Sequence, residues 1–226
     1  GRRLAPHSPA RATFSEKLEV LMPARHFLGA VTILLCVAAP AAGQAWDAPS
    51  FFAPGAANSL GVYFVTPDDV DPGLVAIWRQ GDRNFDLGAR VGLLDFADPL
   101  FLVGAEASGA VLRAGRDLPL DADWTLGLGA TFGDDATLFR IPVGLAVGGE
   151  IDAGSFTLYP YVHPRIALET FAADDESETD FNVVADLGLA LRLGRAWLLR
   201  FGATFGDRDD LGIGLAWRTA RGVSAG

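Results

Sequence analysis

Apolar and polar residues alternate along long stretches of this chain, and this pattern limits the possible folds more than any other feature. Every second residue is apolar in Phe85–Leu93, in Phe156–Leu168 and in Phe181–Leu191. A period of two residues is typical of β-strands, whose side chains point alternately to the two faces of a sheet. The chain is therefore predicted to be all-β, with strands of ten or more residues, longer than the roughly five or six of most soluble sheets.

Turn-forming residues separate the alternating stretches and determine how many strands are predicted. Clusters of Gly, Asp and Pro lie between them, for example at Gly81–Arg83. Counting from Ser59–Thr66 to the last stretch, LGIGLAW, gives ten strands, with eight as the fallback count. No linker divides these strands, so residues 59–218 are predicted to form one β domain.

The phrase GATFGD occurs twice, at Gly129–Asp134 and at Gly202–Asp207. The extended copies, WTLGLGATFGD and WLLRFGATFGD, each begin and end their apolar face with an aromatic residue, eight positions apart. At about 3.3 Å per residue, eight steps span about 26 Å, and a strand tilted by about 40° then covers about 20 Å of a membrane. This spacing is typical of strands that cross a membrane between two aromatic girdles. The predicted girdle consists of Trp124, Phe132, Trp197, Phe205 and Trp217.

The face opposite the apolar one carries charged and polar residues along most of these strands. Since lipid contacts only one face, the polar face is predicted to line the interior of a closed barrel. A soluble barrel would have the reverse arrangement, with apolar residues inside. The charged side chains are expected to pair and to fill the lumen, because isolated buried ions are costly. The predicted lumen network consists of Arg90, Glu106, Arg140, Tyr161, His163, Arg165, Glu169, Asp186, Arg192 and Arg200.

The N-terminal part of the chain has the three regions of a secretory signal peptide. Met22–His26 is short and basic, Phe27–Ala39 is apolar, and small residues follow. The apolar run is too short to cross a bilayer as a helix. The order of regions predicts a cleaved signal peptide at residues 22–43. Residues 1–21 are interpreted as a disordered extension or the result of a wrongly assigned start.

Export of this kind would leave residues 44–58 as a periplasmic N-terminal segment, and residues 219–226 would form a C-terminal tail. The chain contains 18 Lys and Arg against 28 Asp and Glu, a formal net charge of −10. This balance argues against a nucleic-acid partner, which would require a basic face. The one cysteine, Cys36, lies in the predicted signal peptide, so no intramolecular disulfide is expected.

His163 is the only histidine after the predicted signal peptide, and its neighbours raise the question of catalysis. Tyr161, Arg165 and Glu169 share its strand face, and such a set could act in acid–base chemistry. Structural ion pairing in the lumen is the favoured interpretation, with an enzymatic site around His163 as an open alternative. A metal site would need further ligands, and the glycine strings lie within strands, unlike a dinucleotide fingerprint. No catalytic residue, cofactor or metal is therefore predicted.

Over roughly Ser59–Arg218 the chain resembles the small outer-membrane β-barrel proteins of Gram-negative bacteria. The resemblance consists of the signal peptide, the long alternating strands, the short turns and the last strand, LGIGLAW. It implies a closed antiparallel up-and-down transmembrane barrel in the outer membrane, preceded by a signal-peptide helix. It also implies outer-membrane lipids and the barrel-assembly machinery as partners. One departure is that RTARGVSAG follows Trp217, whereas members of the family commonly end on an aromatic residue.

The function that agrees best with these features is that of a non-enzymatic membrane barrel with a largely ion-paired lumen. It would have a structural or surface-interaction role, or act as a narrow pore. Two other classes stay open: an outer-membrane enzyme acting on lipid or protein, and an exported soluble β-barrel binding an apolar ligand. The sequence does not identify a surface ligand.

Overall fold

The computed structural model describes residues 45–219, except for 57, 68–69, 83, 117, 135 and 174–175. The predicted extension at 1–21, the signal peptide at 22–43 and most of the C-terminal tail lie outside the described residues. Within the described part of the chain, no helix has the length and apolarity needed to cross a membrane.

The described residues form eleven strands, in agreement with the predicted all-β fold. Ten of them are long, and β7 has only two residues. The strands are β1 (Ser59–Pro67), β2 (Gly73–Gly81), β3 (Phe85–Leu94), β4 (Leu100–Leu112), β5 (Asp121–Phe132), β6 (Ala136–Gly148), β7 (Ile151–Asp152), β8 (Thr157–Ala173), β9 (Glu176–Leu193), β10 (Trp197–Gly206) and β11 (Asp210–Arg218).

The ten long strands close into one antiparallel barrel. Each pairs with its neighbour in sequence, β6 pairs with β8, and β1 pairs with β11 from Ser59↔Arg218 to Pro67↔Asp210. The short β7 pairs only with the beginning of β8. The predicted count of ten strands is confirmed, and the fallback count of eight is wrong. Because the strand number is even, β1 begins and β11 ends at the same rim, which we call the terminal rim, and the opposite end is the far rim.

The alternation seen in the sequence becomes an alternation of burial. In β8 the odd-numbered residues from 157 to 169 are buried, whereas the even-numbered residues from 160 to 168 are exposed. In β1 the odd positions from 59 to 65 are buried and the even positions from 60 to 64 are exposed. The exposed set is apolar, as at Leu128 with 61% of its surface accessible. The charged residues therefore point inward and the apolar ones outward.

Aromatic residues on the outer face collect at the two rims. Trp197 and Trp217 meet edge to face at 4.9 Å near the terminal rim, where Trp78 and Trp124 also lie. Phe132 and Phe205, at the other end of the repeated phrase, lie near the far rim. All five predicted girdle residues are outward and exposed: Trp124, Phe132, Trp197, Phe205 and Trp217. Trp78 belongs to the same ring and was not predicted.

The segment that precedes β1 lies inside the barrel. Residues 45–56, which we call the inner segment, were expected in the periplasm, but Trp46, Asp47 and Phe51 are at most 2% exposed. Asn58 exchanges two hydrogen bonds of 3.1 Å with the backbone of Gly81 at the terminal rim, where the chain leaves the lumen and enters β1. The physical reason is space, because a ten-stranded wall with many inward glycines is too wide for its own side chains to fill.

Candidate functional site in the lumen

The ten residues predicted to form the lumen network all lie on the inward face of the barrel. Eight of them are buried, and Glu106 and Arg192 are partly buried. Arg192 lies near the terminal rim, apart from the others, and its guanidinium donates to the hydroxyl of Thr157. Tyr161 packs against Gly188 of β9. The remaining members surround the inner segment.

Asp47 of the inner segment is the centre of this cluster. Its carboxylate lies 2.8 Å from Nε of Arg140 and also pairs with Arg165. Arg140 pairs in addition with Glu169, and Arg165 lies 2.8 Å from Asp186. Burial raises the pKa of Asp47, but the neighbouring arginines outweigh it and hold the pKa below its ordinary value of 3.8. One carboxylate of the inner segment thus bridges two strands of the wall.

Arginines also bind the backbone of the inner segment. Arg90 donates 2.9 Å hydrogen bonds to the carbonyls of Pro49 and Ser50, and Arg79 donates to Ser50 at the same distance. Arg200 donates to the carbonyl of Phe51 at 3.4 Å and to two wall hydroxyls. Buried carbonyls need donors, and the inner segment pairs with no strand in the described part of the chain. The guanidinium groups of three wall strands, β2, β3 and β10, supply the donors that a neighbouring strand would otherwise provide.

Three glycines form a pocket for the Trp46 side chain. A Cβ at Gly104 would overlap the Trp46 ring, and one at Gly127 or Gly129 would lie 2.9 or 2.6 Å from it. The indole nitrogen donates to the carbonyl of Arg140 at 3.3 Å. The ring therefore lies directly on the backbone of β4 and β5, which is possible only where the wall has no side chains.

Phe51 occupies a second pocket of the same kind on the other side of the lumen. A Cβ at Gly202 would lie 3.1 Å from its ring, and one at Gly212 would lie 2.5 Å away. Its ring centroid is 4.4 Å from that of Tyr63. The first glycine of each GATFGD copy thus faces an aromatic residue of the inner segment: Gly129 faces Trp46 and Gly202 faces Phe51. The repeat combines an outward apolar face with an inward aromatic pocket.

His163 connects the inner segment to the wall. Its Nε2 lies 2.8 Å from Oγ1 of Thr125, and its Nδ1 lies 3.0 Å from Oγ of Ser50 and 3.6 Å from Asp186. In a Ser–His–Asp triad the hydroxyl and the carboxylate occupy opposite ring nitrogens. Here Ser50 and Asp186 approach the same nitrogen, and the hydroxyl at the opposite nitrogen belongs to the buried Thr125. With 2% of its surface accessible, His163 has the geometry of a buried structural contact.

The lumen is not polar throughout, which the sequence pattern did not predict. Val65, Val75, Leu94 and Leu102 are buried on the inner face near the far rim and form one apolar cluster with Trp46. The lumen thus has an apolar layer near the far rim and a charged layer around the inner segment. Among the described residues, no group of three His, Cys, Asp or Glu side chains is close enough together to hold a metal ion.

Sequence reasoning missed several residues of the charged layer and its lining: Arg79, Trp46, Asp47 and Arg208, whose guanidinium lies 2.8 Å from Glu169. Arg79 pairs with Glu106 at 2.5 Å, but it lies in β2, whose predicted strand carries apolar residues on both faces. Trp46 and Asp47 belong to a segment without alternation. The signal that could have found them is composition, since three aromatic residues within WDAPSFF are too many for a segment exposed to water.

Comparisons with known proteins report only distant likenesses. No family model and no curated protein matches the chain. A KdgM porin is 10% identical with a TM-score of 0.41, over 72% of this chain and 99% of that one. The β domain of the Bordetella autotransporter BrkA is 15% identical with a TM-score of 0.42, over 73% and 100%. Ail, the attachment invasion locus protein of Yersinia pestis, is 13% identical with a TM-score of 0.28, over 72% and 97%. By its own geometry, this chain is a closed ten-stranded antiparallel β-barrel of the outer-membrane type, apolar outside and charged inside.

Proposed function

We propose that this protein is an outer-membrane β-barrel, exported through a cleaved signal peptide, whose lumen is closed by its own inner segment. Its role is structural or lies in surface interaction, and it is not an enzyme. The observation that carries the proposal is the outer face. It is apolar between a tryptophan-rich rim and a phenylalanine-rich rim, while the charged side chains point inward.

Lipids are the partner that this outer face requires. Large exposed side chains such as Leu128, Ile166 and Phe181 cover it, and a soluble protein does not leave so extensive an apolar surface in water. Between β1, β9, β10 and β11 the face also carries an apolar groove of about 590 Å³, lined by residues including Leu187 and Phe201. Acyl chains fit such a groove. The terminal rim would face the periplasm, and the assembly machinery would act on the last strand.

The inner segment and the charged layer support a closed resting state. Asp47 neutralises arginines from two strands, and Trp46 and Phe51 fill pockets in the wall. A non-enzymatic role is supported by the burial of His163 and by the wrong placement of Ser50 and Asp186 for a triad. A narrow pore is the second candidate function, favoured by the arginine-rich lumen wall.

Fractionation tests the proposed location. The exported protein should sediment with the outer membrane, resist extraction by salt and high pH, and require detergent to stay in solution. Its N-terminus should lie between Gln44 and Trp46. Recovery as a monomer from the periplasm without detergent would favour the soluble barrel instead.

Planar-bilayer recording tests the closed state. The purified protein should show only rare, small current steps, since the inner segment fills the lumen. A large and steady conductance in the unmodified protein would favour the pore. His163→Ala should leave the insertion of the protein unchanged, and loss of a hydrolytic activity towards lipid or protein in this variant would favour the enzyme.

A further inference from the structure

The inner segment takes no part in the strand pairing that closes the barrel. Every long strand of the wall pairs with a neighbour on each side, from β1 with β11 to β6 with β8. The backbone hydrogen bonding of the barrel is therefore complete without the inner segment. Residues 45–56 contribute only side-chain packing and polar contacts to the lumen, as a bound peptide would.

The wall recognises the inner segment through the contacts that proteins use for peptides. Three successive carbonyls, those of Pro49, Ser50 and Phe51, accept hydrogen bonds from arginines of the wall. The carboxylate of Asp47 is held by two further arginines. Two aromatic pockets, for Trp46 and Phe51, are built where glycines line the wall. Backbone contacts provide affinity in such sites, and side-chain pockets provide specificity.

Around the inner segment the wall carries more arginines than carboxylates, and this excess of positive charge favours an acidic ligand. Five arginines contact the inner segment, and three carboxylates of the wall pair with members of this set. Arg90 and Arg200 have no carboxylate within 4.0 Å among the described residues and are satisfied by carbonyl and hydroxyl oxygens. The arginines are Arg79, Arg90, Arg140, Arg165 and Arg200, and the carboxylates are Glu106, Glu169 and Asp186.

We propose that the lumen is a peptide-binding site that the inner segment occupies in cis. Its ligand in trans is an extended acidic peptide that presents an aromatic residue, a carboxylate directly after it, and a second aromatic residue four positions beyond the carboxylate. The peptide enters from the terminal rim, because the inner segment itself passes through this rim at Asn58. On the far-rim side, the apolar layer around Leu94 and Leu102 lies in the lumen.

Because the inner segment occupies the site in cis, the unmodified barrel binds a peptide from solution only weakly. A short tether holds its own segment at an effective concentration in the millimolar range. A free peptide at micromolar concentration therefore competes poorly. Replacing Trp46 and Asp47 by alanine removes the strongest side-chain contacts between the inner segment and the wall. A free peptide should then be able to take the place of the inner segment.

The experiment uses the full chain in detergent micelles and a labelled octapeptide with the sequence of Ala45–Phe52. Trp46→Ala/Asp47→Ala should bind this peptide on the order of 100-fold more tightly than the unmodified barrel, as measured by fluorescence anisotropy. A matched control, Leu118→Ala/Asp98→Ala, removes an exposed apolar residue and an exposed acid and should behave like the unmodified barrel. A second peptide, with alanine at its Trp and Asp positions, should bind the variant on the order of 100-fold more weakly than the first peptide.

Photo-crosslinking keeps the test independent of affinity. A photoreactive phenylalanine at the position equivalent to Phe51 should label the strands that contain Gly202 and Gly212 from the inside. Equal binding of both peptides by the folded variant, or labelling confined to outward residues such as Leu211, would overturn the proposal. The inference rests on the closed lumen of the proposed function. The test is done in micelles, however, so a periplasmic location would contradict the proposed function and leave this inference standing.

Discussion

Gly104 shows at the level of one residue how the wall and the inner segment are fitted to each other. A side chain on this position of β4 would overlap the Trp46 ring, and a Cβ at the neighbouring glycines of β5 would lie 2.6–2.9 Å from that ring. In the sequence these glycines are consistent with a curved strand. In the structure their more specific role is to leave space for an aromatic ring.

We expect Gly104→Ala to lower the free energy of unfolding by about 1–3 kcal/mol, because the added methyl group overpacks the lumen. Gly115→Ala is the control, since a Cβ there meets nothing within 4 Å, and its effect should stay within about 0.5 kcal/mol. Urea unfolding in lipid vesicles measures both. In a Trp46→Ala background the cost of Gly104→Ala should fall, and an unchanged cost would contradict the assigned contact.

Arg165, like Arg140, is held by two carboxylates, so it should matter more than an arginine that has no carboxylate partner. Arg165→Ala leaves Asp47 and Asp186 without this partner, and we expect a loss of about 3–5 kcal/mol. Arg192→Ala removes a partly buried arginine whose described partners are hydroxyl groups, so its cost should be about 1 kcal/mol. Equal losses for the two variants would show that ion pairing does not hold the lumen together.

The pH dependence of the Asp47 contacts has a defined sign. The folded pKa lies below 3.8, so the stability that this carboxylate contributes is fully present above its unfolded pKa and is lost as the pH falls through the folded value. The difference in unfolding free energy between the unmodified protein and Asp47→Asn should be constant from pH 8 to about pH 5 and shrink in stronger acid. A difference that grows on acidification would contradict the ion pairs described here.

At the level of the strand, the outward positions of the repeated phrase define the apolar outer face, which the proposed function places in lipid. Leu128 lies midway between Trp124 and Phe132 on β5, and it is more exposed than either. Its position corresponds to the middle of the apolar band, where a charged side chain has no water to reach. The two rims with their aromatic residues mark the ends of this band.

We expect Leu128→Arg to lower the free energy of unfolding in vesicles by about 2–4 kcal/mol, because arginine near the midplane is poorly solvated. Leu118→Arg is the matched control: Leu118 is also exposed but lies in the turn between β4 and β5. Its cost should be below about 1 kcal/mol. If both variants unfold alike, β5 does not cross a membrane in the orientation assigned here.

For the whole molecule, closure of the sheet and filling of the lumen are separate sources of stability. Closure satisfies the backbone of all ten long strands, including the pairing of β1 with β11. The inner segment fills the space that remains and neutralises part of the arginine charge. A barrel that loses the contacts of the inner segment should therefore stay closed.

Trp46→Ala/Asp47→Ala should still migrate as a compact, heat-modifiable species in a gel and keep its far-ultraviolet circular dichroism. Its unfolding midpoint should fall, since two buried contacts are lost. Deletion of β11 provides the opposite control and should abolish the compact form, because β1 and β10 would then have open edges. If the double variant also loses the compact form, the inner segment is required for closure.

The sequence by itself determined the all-β class, the ten strands, the inward or outward direction of side chains in the alternating strands and five residues of the aromatic girdle. These properties are local, because the covalent geometry of an extended strand makes side chains alternate with a period of two. Only the tertiary structure decided which charges meet: Glu106 pairs with Arg79, and Asp47 joins Arg140 and Arg165. Such pairs depend on strand register and barrel width, which alternation does not encode. The inner segment has no period at all, and its place in the lumen follows from the space that ten closed strands leave inside.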